Sequence, residues 1–276
     1  MKSKIRYERL TFYLIFFLIF ACILWIMNYT IFETKDEKQI FILAGQSNMA
    51  GRGGVVKRVW DGYVPPECHR NPAIHRLNRN SIWEVAEEPL HEDIDFNKTC
   101  GIGPTMVFAN IVLEMDPQFG KIGLVPCAIG GTSIDKWSQG SRLYNDMIKR
   151  ARIALQDGGT IQGILWYQGE RDALTLKKAK SYKRKLEKLY GDVRNDLNSP
   201  LLPIFQVALA SGEGPFMQEV REAQLGINLA NVKTVDALGL LLEPDGLHLS
   251  TQAQVQLGYK LADAFLKAHY IFRTTQ

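Results

Sequence analysis

Three residues of this chain have the types and placement that nucleophilic catalysis needs. Ser47 lies in Gly45-Gln46-Ser47-Asn48-Met49, directly after a short apolar run. Asp245 and His248 lie in Asp245-Gly246-Leu247-His248, just ahead of the last amphipathic segment. A serine hydroxyl is a weak nucleophile until a base takes its proton and donors receive the charge that its attack creates. An Asp-x-x-His spacing in a turn lets the carboxylate reach one imidazole nitrogen while the other points outward as a general base. Taken singly each feature has an ordinary reading, Ser47 as a turn cap and Asp245 with His248 as a surface pair.

Donors for an oxyanion occur at two further places. Gly130 and Gly131 in Ile129-Gly130-Gly131-Thr132 offer backbone N–H groups free of Cβ obstruction, and Gln168 in Trp166-Tyr167-Gln168-Gly169-Glu170 offers a side-chain amide. With the N–H of Ser47 they would make a three-donor oxyanion hole. Gly51-Arg52-Gly53-Gly54 lacks the Gly-Lys-Ser/Thr ending of a phosphate cradle and reads as plain loop. The five histidines are scattered and the cysteines show no metal-ligand spacing, so neither a metal nor another cofactor is expected.

Elements that could bring these residues together follow from periodicity. Gln39 to Ala44, Ile122 to Ala128, Ile161 to Tyr167, Leu202 to Leu209 and Val232 to Leu240 read as five strands, mostly continuous apolar runs. Between and after them come helices from Pro104 to Met115, through Leu143 to Leu155, through Leu176 to Leu197, from Phe216 to Ala230, and from Ser250, as N-cap, to His269. Residues 51 to 101 are rich in Gly, Pro, Asn, Asp and Arg and read as a long loop region. Strands alternating with helices imply a three-layer α/β/α sandwich around a parallel sheet of about five strands. Ligands of such sheets bind beyond the carboxyl ends of the strands, where Ser47, Gly130, Gly131, Gln168 and the loop of Asp245 and His248 all fall.

The 276 residues carry a formal net charge of +4. Much of it comes from Lys2, Lys4, Arg6 and Arg9, and the body beyond residue 35 is close to neutral. No basic stripe interleaved with aromatics is visible, which argues against a nucleic acid partner. Residues 10 to 32 carry no charged side chain, enough for a membrane-spanning signal-anchor after a cytosolic basic tail at residues 1 to 9. The remainder, 33 to 276, would then be a lumenal or extracellular domain of a type II membrane protein, with cleavage and secretion as the alternative. Of the cysteines beyond that run, Cys68 and Cys100 are the favoured pair for one bridge, and Cys127 reads as a buried thiol. Asn97-Lys98-Thr99 is a glycosylation sequon, usable in a lumenal body.

Together, Gly45-Gln46-Ser47-Asn48-Met49-Ala50-Gly51, Gly101-Ile102-Gly103-Pro104, Val125-Pro126-Cys127-Ala128-Ile129-Gly130-Gly131, Trp166-Tyr167-Gln168-Gly169-Glu170 and Asp245-Gly246-Leu247-His248 resemble the SGNH hydrolases. The resemblance is to the group of sialate O-acetylesterases and acetylxylan esterases, nearest to the plant carbohydrate esterases. It implies a flavodoxin-like fold, Ser47 as nucleophile with Asp245 and His248, and an oxyanion hole of Ser47, Gly131 and Gln168, with Gly130 the alternative to Gly131. Glu170-Arg171-Asp172 departs from the group's usual Glu-Ser/Ala-Asp and puts an arginine at the rim. The implied activity is removal of O-acetyl groups from an acetylated carbohydrate through an acyl-serine. The rival uses of the same residues are transfer of the acetyl to sugar and glycan binding without catalysis.

Overall fold

The computed structural model describes residues 15–25 and 37–274. Residues up to Glu37 form one unit and Lys38 to Gln276 another. In the first, residues 15–25 are helical. Among the described residues no helix is long and apolar enough to cross a membrane, so the fold lends no support to the expected anchor over 10 to 32. The remainder of that span, and the tail at 1 to 9, lie outside the described residues.

The second unit begins with β1 (Gln39–Gly45) and a single helical turn, α1 (Ser47–Ala50). A small hairpin follows, β2 (Val55–Val56) with β3 (Val59–Trp60), then β4 (Ile74–Leu77) and β5 (Trp83–Val85). After α2 (Thr105–Met115) come β6 (Ile122–Pro126), α3 (Arg142–Ala154), β7 (Thr160–Tyr167) and α4 (Leu176–Asp196). The chain ends through β8 (Ile204–Ala208), α5 (Met217–Leu225), β9 (Val232–Asp236) and α6 (Thr251–Thr274).

The main sheet has seven strands in the order β5-β4-β6-β1-β7-β8-β9, parallel except for β5, against the five expected. The additional two, β4 and β5, come from the stretch read as loop. Ile74-His75-Arg76-Leu77 buries its two ends and half-buries its middle, and Trp83-Glu84-Val85 is half-buried throughout, so neither shows the apolar run of an interior strand. The central β1 buries Ile40 to Ala44 completely. Successive residues face opposite layers. Phe41 meets Phe108 of α2 and Phe265 of α6 on one face, while Trp166 of β7 meets Trp137 and Tyr190 of α4 on the other. These aromatic contacts hold the sheet between two helical layers and keep its carboxyl edge rigid.

Cys68 and Cys100 are both buried free thiols, so the expected bridge does not form. The sulfur of Cys100 instead accepts a hydrogen bond from Arg52 Nη1 at 3.3 Å.

Candidate active site

β1 ends in a turn that only glycine allows. Gly45 has φ +133°, and a Cβ there would stand 2.1 Å from the Tyr167 carbonyl oxygen. The Gln46 N–H donates to that same carbonyl at 2.8 Å, which closes β1 onto β7 and aims the next residue, Ser47, beyond the sheet edge.

Opposite it stands the loop before α6. Asp245 Oδ1 accepts the N–H groups of Leu247 and His248, each at 2.9 Å, folding the Asp-x-x-His segment into a turn. Asp245 Oδ2 lies 2.6 Å from His248 Nδ1, and His248 Nε2 lies 3.0 Å from Ser47 Oγ. Partial burial works against the Asp245 charge, but the two backbone donors and the imidazole outweigh it and hold its carboxyl below the usual range.

Asn48, beside Ser47, ties the two segments together. Its Oδ1 accepts from Leu249 N at 2.9 Å, its Nδ2 donates to Glu170 Oε1 at 2.8 Å, and its carbonyl accepts from Gln254 Nε2 at 3.1 Å. Ser211 Oγ donates to the Leu247 carbonyl from the side. The imidazole is thereby set against the serine by bonds on both flanks of His248. Sequence reasoning quoted Asn48 in the first motif without giving it a role; its adjacency to Ser47 was the available signal.

The Gly130-Gly131 turn lies at the same edge, and its two N–H groups differ. That of Gly130 is taken by Asp95 Oδ2 at 3.0 Å. That of Gly131, at φ +69°, has no acceptor among the described residues, and neither has the N–H of Ser47. Asp95 is itself paired with the buried Arg52, whose Nη1 also donates to the Gly51 carbonyl at 2.7 Å, and Lys98 Nζ donates to the Gly130 carbonyl at 2.6 Å. Arg52, Asp95 and Lys98 thus brace both sides of Gly130, a role that no motif in the sequence signals.

Gln168 has its side-chain amide engaged within the protein. Its Nε2 donates to the Thr132 carbonyl and to Asp172 Oδ2, both at 2.8 Å, while its Oε1 accepts from Tyr182 Oη at 3.0 Å. An amide nitrogen has two hydrogens, and both are used. In this arrangement the side chain expected as the third oxyanion donor braces the Thr132 end of the glycine turn against β7.

Two adjoining depressions of about 800 and 770 Å³ flank this edge and share Phe96 and Asn97. One is lined by Gly131, Lys136, Arg171 and Lys178, the other by Lys57, Arg58, Asp245 and His248. Arg171 reaches this wall while paired with Glu213. Asn97 lies on the wall between the lobes, where a glycan would fill the space a substrate must occupy, and Thr99 Oγ1 of the same sequon is bonded to the Arg58 carbonyl at 2.7 Å. The geometry therefore gives no support to glycosylation at this sequon. Among the described residues no group of histidine, cysteine and carboxylate side chains could hold a metal.

A helix-covered parallel sheet with a serine, an imidazole and a carboxylate in line at its carboxyl edge has the layout of an α/β esterase. Residues 37–267 match the carbohydrate esterase, sialic acid-specific acetylesterase family, and the chain belongs to it. It is 54% identical over 235 residues to "Probable carbohydrate esterase At4g34215" of Arabidopsis thaliana, covering 83% of this chain and 90% of that protein. The crystal structure of that Arabidopsis protein superposes with a TM-score of 0.81 over 84% of this chain and 98% of that one. NanS, at 19% identity, shares the fold with a TM-score of 0.67, covering 88% of this chain and 99% of that one. The chain is thus a member of a carbohydrate esterase family, with a seven-stranded α/β core.

Proposed function

We propose that this chain removes O-acetyl groups from a glycan through an acyl-serine, with Ser47 as nucleophile, His248 as general acid and base, and Asp245 as the group that orients His248. The observation that carries the reading is the alignment Ser47 Oγ to His248 Nε2 at 3.0 Å and His248 Nδ1 to Asp245 Oδ2 at 2.6 Å. Nε2 takes the hydroxyl proton as Oγ attacks the acetyl carbonyl, and the ionised Asp245 stabilises the imidazolium that forms. The carbonyl oxygen gains the negative charge and meets the N–H groups of Ser47 and Gly131, which have no acceptor among the described residues. Collapse breaks the bond to the sugar oxygen, which leaves with the proton from Nε2. Water, deprotonated by the same nitrogen, then cleaves the acetyl-serine ester and releases acetate.

The test is acetate release by the full chain from a panel of acetylated glycans and from a simple aryl acetate. Turnover that disappears with Ser47→Ala is expected. Absence of release from every glycan and from the aryl ester would overturn the reading.

A further inference from the structure

The body of this protein is close to neutral, yet its cleft is not. Of the carboxylates lining the two lobes, Asp95 is paired with Arg52, Asp135 with Lys185 and Asp245 with His248. Lys57 and Arg58 in one lobe, and Lys136 and Lys178 in the other, carry no ion pair among the described residues. Cations without an ion pair therefore line both lobes: Lys57, Arg58 and Lys98 in the lobe beside His248, and Lys136 with Lys178, the latter facing the buried Asp172, in the lobe beside Gly131.

One of these pairs is held at a conformational cost. Lys57 and Arg58 are the two central residues of the β2-β3 hairpin, at φ +49° and +65°. Such a turn needs positive φ at both places and is ordinarily built from Asn and Gly, since a side chain of L hand is strained there. The Thr99 hydroxyl, from the cleft wall, donates to the Arg58 carbonyl and fixes the hairpin tip over the lobe. Strain retained at a lip that carries two long cationic side chains points to a role for those side chains.

Resting on the proposed esterase reading, we infer that the cleft takes a polyanionic glycan chain, with carboxylate-bearing sugars seated on both sides of the acetylated residue. Lys57 and Arg58 hold the acidic groups of one arm, and Lys136 and Lys178 those of the other. Two adjoining lobes, one beside His248 and the other beside Gly131, fit a chain that continues in both directions, whereas a single terminal acidic sugar would need only one cationic lobe. Uronate polymers have this chemistry, one carboxylate on each unit.

Binding tests this without depending on catalysis. Calorimetry of the full chain with an unacetylated oligogalacturonide long enough to span both lobes should show binding that is lost at about 1 M salt, where the Debye length falls to about 3 Å. A neutral xylo-oligosaccharide of equal length should bind at least tenfold more weakly. Each of the paired variants, Lys57→Ala with Arg58→Ala and Lys136→Ala with Lys178→Ala, should weaken oligogalacturonide binding about tenfold, as expected for two rim charges. Lys180→Ala with Arg184→Ala, on the outer face of α4, should leave the affinity unchanged. Equal affinity for the neutral chain, or for a single galacturonate or sialic acid unit, would overturn the proposal, as would loss in only one of the two cleft variants. Acetate release from neutral glycans without oligogalacturonide binding would sink this inference alone; the predicted binding without esterase activity on any acetyl ester would instead sink the proposed function.

Discussion

Asp95 Oδ2 accepts the Gly130 N–H at 3.0 Å, and this bond decides which of two neighbouring glycines is left with an N–H to offer. Because Arg52 and Lys98 hold the same turn from the Asp95 side and the carbonyl side, the peptide between Gly130 and Gly131 has little freedom to rotate. A donor held in place before the reaction stabilises developing charge without reorganising at the moment it forms.

Removing part of this brace should therefore slow turnover more than it weakens substrate binding. Lys98→Met keeps most of the side-chain volume and deletes only the bond to the Gly130 carbonyl. A fall in kcat of about tenfold, the lower end of what misplacing a reacting group costs, is expected with KM within about twofold. Steady-state kinetics on an uncharged aryl acetate provide the check, and a change confined to KM would assign Lys98 to substrate contact. Asp95→Ala should be far more damaging, because it strands the buried Arg52 guanidinium at a cost of about 3 to 5 kcal/mol. Thermal unfolding would register that loss.

For Gln168→Ala the signature should be instability. The substitution leaves the buried Thr132 carbonyl without its donor, and takes one bond each from Asp172 Oδ2, which keeps the Ile134 N–H, and from Tyr182 Oη, which keeps the Gln168 backbone carbonyl. One stranded buried carbonyl and two lost bonds cost about 1 to 3 kcal/mol together, so a Tm lower by several degrees is expected together with reduced activity. An unchanged Tm with kcat reduced about a hundredfold would restore the oxyanion role.

Glu170 should make the protein less stable as neutral pH is approached. Burial is the largest cause, and it raises the carboxyl from an ordinary 4.5 to about 7, against the hydrogen bond from Asn48. Between those two values the folded state holds a proton that the unfolded state has released, so stability declines as pH rises from 4.5 to about 7 and is level in this respect above it. Glu170→Gln carries no titrating proton and can still accept from Asn48. Its Tm relative to wild type should rise steadily across that window, as read by thermal unfolding at several pH values. A constant difference at all pH values would show that Glu170 does not titrate there.

The parts of the site that could be read from the sequence are those in which one short segment carries both the chemistry and its place at a strand end. Ser47 after β1, Gly131 after β6 and Asp245-Gly246-Leu247-His248 before α6 are of this kind, and the structure gathers them at one edge. Gln168 lies at the expected edge, but a side-chain amide does not announce its partners, and the bonds to Asp172 and Tyr182 arise from packing that the sequence does not display. Asp95 and Arg52 come from polar stretches without periodicity and meet only because Gly51 and Gly53 lie against the Gly101 and Ile102 backbone. β4 and β5 escaped notice because both are short and neither carries an apolar run, β5 lying at the sheet edge and β4 next to it.

The most direct test of the account is to identify the residue that carries the acyl group. The full chain would be treated with a serine-directed phosphonate ester, digested and analysed by mass spectrometry, alongside Ser47→Ala and His248→Ala. The account predicts one adduct, on Ser47, that is lost in Ser47→Ala and strongly slowed in His248→Ala, with acetate release in folded Ser47→Ala reduced by a factor of at least about a thousand. An adduct on another residue, or acetate release near the wild-type rate by folded Ser47→Ala, would contradict it.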